Sequence, residues 1–258
     1  MKRYLGIPFF ILLTVFLCQL AHSQDQPKSL ASIKAAALAG DPEAQFQLGY
    51  KYAIGDGVEK DPQLAVRWYM SAAEKGHIIA AHNLGACYAA GAGVTENAKE
   101  SFKWFKKAAV KGYLYSIIAI GHDYLTGTGV KADYKESLKW ISKASEMGCP
   151  EAQQTLAYYY AEGVGVQKNP ELSFKWCKLS AENGFLTAKA ELGRKYEDGN
   201  GVEKDPASAL YWTKKAASEG DSSAQRLLGY KYQMGIGGVE KDYQQAIKYG
   251  SYVVERGY

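Results

Sequence analysis

Apolar residues recur along this chain at helical spacing and are broken by glycine at regular intervals. Ala44, Leu48 and Tyr52 are four apart, with Gln45 and Gly49 beside them, which is one stripe of an α-helix. Gly55 and Gly57 follow, and glycine takes left-handed φ at little cost, so the stripe predicts a helix that stops there. Asp61-Pro62 predicts the start of a second helix. An aspartate at that position accepts orphan amide hydrogens, and proline has φ preset for the first turn. Ala65, Trp68, Tyr69, Ala72 and Ala73 supply its packing face, and Gly76 closes it.

The same hairpin pattern returns every 36 residues. Trp68, Trp104, Trp140, Trp176 and Trp212 keep that interval, as do Tyr52, Tyr88, Tyr124, Tyr160, Tyr196 and Tyr232. The expected N-cap position holds Asp61, Asn97, Asp133, Asn169, Asp205 and Asp242. In the last copy one residue is inserted at Gly237-Gly238, so Tyr249 takes the tryptophan place and Gly257 the closing-glycine place. A lone hairpin cannot bury its own apolar face, whereas stacked copies complete a continuous core. The expectation is an all-α solenoid, an α-α superhelix of six hairpins over residues 41–76, 77–112, 113–148, 149–184, 185–220 and 221–257. Residues 24–40 are expected to supply an N-terminal segment and a capping helix. Glycines on the first helices (Gly49, Gly85, Gly121, Gly193, Gly229) would let the paired helix approach closely, and Ala157 in the fourth copy predicts a slightly wider hairpin.

The repeated residues resemble the Sel-1-like repeat, a relative of the tetratricopeptide repeat with a longer loop in the hairpin. The resemblance rests on Ala44, Leu48, Gly49, Tyr52, Gly55, Gly57, Val58, Asp61, Ala65, Trp68, Ala72, Ala73 and Gly76, and on their counterparts through Gly257. It implies a right-handed superhelix and a role as adaptor, scaffold or inhibitor in protein complexes.

The N-terminus changes the compartment. Lys2 and Arg3 precede an apolar run from Phe9 to Leu17, and Ala21-His22-Ser23 offers small residues at a cleavage site, so residues 1–23 are expected to be a signal peptide. The run is short for a membrane span, which needs about 20 residues, so no stable span is expected after cleavage. A lipoprotein reading through Cys18 is disfavoured, because Val15-Phe16-Leu17 lacks the small residue wanted before that cysteine. The expected destination is the periplasm or the exterior. The formal charge is +4, and it falls to +2 once Lys2 and Arg3 are set aside, which argues against nucleic acid as a partner. The lysines are expected on solvated surfaces.

Candidate chemistry is sparse. Cys87, Cys149 and Cys177 are an odd number beyond the signal, not a disulfide framework. Cys87 shares its place in the repeat with Lys51, Asp123, Lys195 and Lys231, which predicts partial exposure. No His-Glu-x-x-His or Cys-x-x-Cys occurs, so no metal site is expected, and His77, His82 and His122 read as surface histidines. His82 and His122 lie on successive first helices and could come near each other. The recurring Gly-x-Gly follows a helix, whereas a nucleotide loop follows a strand. No cofactor is expected. No Ser-x-x-Lys and no Gly-x-Ser-x-Gly occurs, which argues against serine acylase chemistry and for a protein that is not an enzyme.

A face is left over opposite the packing stripe of each first helix, and in tetratricopeptide relatives that face lines the concave groove. Its residues change from copy to copy while the packing positions barely change. The groove candidates are Phe46, Tyr50, His82, Tyr115, His122, Tyr158, Arg194, Arg226 and Tyr230. Tyrosine and arginine are common interface anchors. The leading expectation is an exported scaffold or adaptor that binds a partner protein there and regulates an envelope enzyme or sensor. A secreted factor engaging a host protein is the alternative. A β-lactamase-like or peptidoglycan-binding envelope protein ranks third. The C-terminal end, with Tyr243, Ile247, Val253 and Val254, is expected to take a partner or a second copy.

Overall fold

The computed structural model describes the backbone of residues 29–255 and the side chains through residue 250. The expected signal segment 1–23 with Cys18, residues 24–28, the side chains of Val253 and Val254, and Gly257 lie outside the described residues. Thirteen α-helices and no strand are found among the described residues. After α1 (Leu30–Leu38) come first and second helices in alternation: α2 (Pro42–Ile54), α3 (Pro62–Glu74), α4 (Ile78–Ala90), α5 (Ala98–Val110), α6 (Leu114–Thr126), α7 (Tyr134–Glu146), α8 (Pro150–Glu162), α9 (Pro170–Glu182), α10 (Leu186–Asp198), α11 (Pro206–Ser218), α12 (Ser222–Met234) and α13 (Tyr243–Glu255). Each packs on its chain neighbours, so the described chain is a solenoid of stacked hairpins.

The caps are those the sequence predicts. Asp61, Asn97, Asp133, Asn169, Asp205 and Asp242 each accept backbone N–H bonds from the first turn of a second helix. The N–H of the same residue donates to the carbonyl of the repeated tyrosine, as from Asp61 to Tyr52 at 2.9 Å and from Asp133 to Tyr124 at 2.8 Å. Each hairpin loop is thus tied at one point. The second glycine of Gly-x-Gly has a separate role. A Cβ on Gly93 would lie 2.1 Å from the Pro62 carbonyl oxygen, and Gly129, Gly165 and Gly201 stand equally close to Ala98, Tyr134 and Pro170. These glycines seat each loop on the previous second helix. In the last hairpin the inserted residue moves this contact, and Gly238 meets Leu210 instead.

Ala44, Leu48 and their counterparts form a buried core that runs from hairpin to hairpin, joined in the first hairpin by Ala65 and Val66. The tryptophans bridge hairpins: Trp68 packs on Ile33, Ala37 and Leu48, and Trp104 on Ala72, Ala80 and Leu84. Trp104 and Trp212 are buried, whereas Trp68, Trp140 and Trp176 are half-buried. A Cβ on Gly85 would come within 2.7 Å of the Phe105 ring, so the first-helix glycines do admit large partners. Ala157 does not widen its hairpin. Cys177 stands where Tyr69, Phe105 and Ile141 stand elsewhere, and α8 packs on α9 as closely as its counterparts do.

One expectation about charge is corrected. Lys189, Lys195 and Lys231 are not solvated but 5%, 4% and 2% exposed. Cys87 is half-buried, as its place in the repeat predicts, although Asp123, Tyr159, Lys195 and Lys231 are buried at the same place. Burial pushes the Cys87 thiol up to about 11.

Candidate interaction face

The nine groove candidates fall into two groups. In the first three hairpins Phe46, Tyr50, His82 and Tyr115 are half-buried, and the rings of Phe46, His82 and Tyr115 pack at the joints between hairpins. Phe46 stacks on His77 with ring centroids 4.5 Å apart. His77 caps α4 by accepting from the Ala80 N–H at 3.1 Å, and its Nε2 lies 3.0 Å from Glu43. One repeat later His82 takes the place of Phe46. It packs on Tyr113 (4.9 Å) and Phe105 (5.2 Å), with Tyr115 at 6.4 Å. Tyr50 is half-buried against the same core that holds Tyr69.

His82 is therefore not a surface histidine. Its Nδ1 lies 2.9 Å from Ser116 Oγ, and burial lowers its pKa to about 4, so it stays neutral at pH 7. It is not brought to His122, which lies six residues beyond Ser116 along α6 and is exposed. Among the described residues no group of three or more His, Cys, Asp or Glu is placed to hold a metal ion.

In the later hairpins the candidates are open to solvent. Tyr158, Arg194 and Tyr230 occupy one place in three successive repeats; all are exposed, the tyrosines at 42% and 53%. Arg226, one helical turn before Tyr230 on α12, is exposed too. Beneath them runs a network that the sequence reading missed. Lys195 Nζ donates to Ser173 Oγ at 2.9 Å and lies 3.7 Å from Glu191. Lys231 pairs with Glu197 at 2.7 Å, and Lys189 pairs with Glu219. Glu191 also accepts from Gln154. Burying these lysines is tolerated because each ammonium is paired and hydrogen-bonded. The signal was present in the sequence: one position of the repeat holds Cys87, Asp123, Tyr159, Lys195 and Lys231, too mixed a set for a plain surface position. Tyr159 shows the same geometry, with its hydroxyl 2.7 Å from Ser137 Oγ. Asp123 has no such partner among the described residues; it is 9% exposed, and desolvation raises its carboxyl to about 7.

No helix among the described residues is long and apolar enough to cross a membrane.

These hairpins, with capped joints and a varied first-helix face, define a helical-repeat solenoid. The chain belongs to the Sel1 repeat family, which matches residues 42–77, 78–113, 115–149, 150–185, 187–221 and 222–251. A solved protective antigen present in uropathogenic Escherichia coli strains, which displays an SLR fold, is 36% identical with a TM-score of 0.86 over 90% of this chain. The chain spans about half (50%) of that antigen's length. A Sel1 repeat protein from Oxalobacter formigenes is also 36% identical, with a TM-score of 0.74 over 84% of this chain and 89% of the other. Among curated proteins no relative matches. Sel1 repeat proteins generally mediate protein–protein interaction and are typically not enzymes.

Proposed function

We propose that this protein is an exported scaffold that binds a partner protein along its first-helix face and performs no catalysis of its own. One observation carries the reading: an almost constant hairpin frame presents a face whose side chains change from repeat to repeat, with Tyr158, Arg194, Arg226 and Tyr230 exposed on it. A frame needs constancy for packing, whereas a binding face needs individuality for recognition. Export is supported by the Lys2-Arg3 start and the Ala21-His22-Ser23 site. Regulation of an envelope enzyme or sensor fits that location. A secreted host-engaging factor is the second reading, favoured by the likeness to a protective antigen.

The test is affinity capture from an envelope fraction, comparing the wild-type chain with a Tyr158→Ala/Tyr230→Ala variant by mass spectrometry. Tyr115 is a poorer probe, because its ring packs in the His82–Tyr113 cluster and its loss would disturb the fold. A protein retained by the wild type and lost from the variant is expected. A profile identical for both chains would exclude this face.

A further inference from the structure

The buried lysines decide what the exposed face shows a partner. Three carboxylates of the last hairpins lie against buried lysines: Glu191 and Glu197 on α10, and Glu219 at the end of α11. Each is paired with an ammonium that is almost wholly buried, from Lys195, Lys231 and Lys189 respectively. Each of these carboxylates is offset by an ammonium of the same chain. Arg194 and Arg226 are exposed and form no ion pair among the described residues. Asp198, four residues beyond Arg194, is exposed and lies outside ion-pair distance of it as well. Two guanidinium groups on adjacent first helices therefore project without a carboxylate partner. Tyr158 and Tyr230 stand one repeat to either side of Arg194.

Guanidinium offers five N–H donors in a fork that matches a carboxylate, and it loses less hydration than an ammonium on binding. Tyrosine adds a hydroxyl and a flat apolar face at small cost in conformational freedom. Two arginines between tyrosines suit a short stretch of side-chain carboxylates on an extended peptide. They do not suit a polyphosphate backbone, which needs a longer row of cations. We infer that the first-helix face of hairpins α8–α9 to α12–α13 receives an acidic, extended segment of the partner protein, its carboxylates seated on Arg194 and Arg226. This rests on the reading of that face as the binding surface and specifies the chemistry that fits it.

The experiment uses fluorescence anisotropy with three labelled probes of equal length: a glutamate-rich peptide containing tyrosine, the same peptide with lysine in place of glutamate, and inorganic polyphosphate. The glutamate peptide should bind, more weakly as salt is raised, and the lysine peptide should not. Charge reversal at R194E and R226E together should weaken the glutamate peptide at least about tenfold, while reversal of Lys175 and Lys178 on α9 leaves it unchanged. Thermal melting checks that both variants fold. Equal binding of the lysine peptide, an unchanged affinity in the arginine variant, or preference for polyphosphate would overturn the inference. Failure here with a partner still lost from the Tyr158/Tyr230 variant would reject the acidic segment and leave the interaction face standing; loss of neither would reject both.

Discussion

Two buried titratable residues give this protein opposing responses to pH. Asp123 has a folded pKa near 7, well above the ordinary carboxyl range, because it is desolvated without a cationic partner. The folded state then holds a proton that the unfolded state has released between about pH 4 and 7, so its contribution to stability falls as pH rises through that window. His82 has a folded pKa near 4, below its ordinary value. The folded state stays neutral where the unfolded state takes up a proton, so stability is lost as pH falls from about 6.5 toward 4. The two slopes oppose. Asp123→Asn should therefore leave stability near pH 4 close to wild type and raise it at pH 7. Urea titrations at a series of pH values check this, and parallel curves for the two proteins would show that Asp123 is not desolvated as described.

At the scale of the hairpin, the loops are held by close approach as much as by conformation. Gly57 and Gly93 occupy the same place in their loops, with φ of 71° and 74°. A Cβ at Gly57 would meet nothing within 4 Å, whereas one at Gly93 would strike the Pro62 carbonyl. Alanine at either position carries the strain of left-handed φ, but only at Gly93 must the joint also open. Gly93→Ala should destabilise the protein more than Gly57→Ala, by about 1–3 kcal/mol as for other overpacked contacts. Equal losses by denaturant unfolding would mean that the loop does not seat on α3. Trp104→Ala removes a buried ring from the joint between two hairpins, with an expected cost of about 3–5 kcal/mol. Elements of this kind were legible in the sequence, because caps, glycines and helical stripes act through local chemistry that repeats. The polar joints were not. Lys195 and Asp123 occupy one place in the repeat, and whether such a residue is solvated or buried depends on Ser173, Glu191 and other groups brought by neighbouring hairpins. His82 is not the surface histidine expected for a related reason: like Phe46 it lies off the packing stripe of its own helix, and the next hairpin partly covers it.

At the scale of the whole solenoid, the described hairpins hold together by burial of one on the next, with no disulfide among the described residues. Cys87, Cys149 and Cys177 are free. Burial pushes the Cys177 thiol up to about 12, so it stays protonated and unreactive. Reducing agent should leave the melting temperature unchanged, and a clear fall would reveal a bridge that the fold needs. The aromatic joints of the first hairpins and the paired lysines of the later ones are two solutions to one packing problem. They leave different surfaces: one apolar and half-covered, the other open and carrying unpaired guanidinium groups. The central claim, that this surface binds a protein, is tested most directly by calorimetry of the captured partner against the Tyr158→Ala/Tyr230→Ala variant. The account predicts affinity at least about tenfold weaker, a loss of about 1.4 kcal/mol or more, with an unchanged melting temperature. Unchanged affinity would contradict it and move the binding site off the first-helix face.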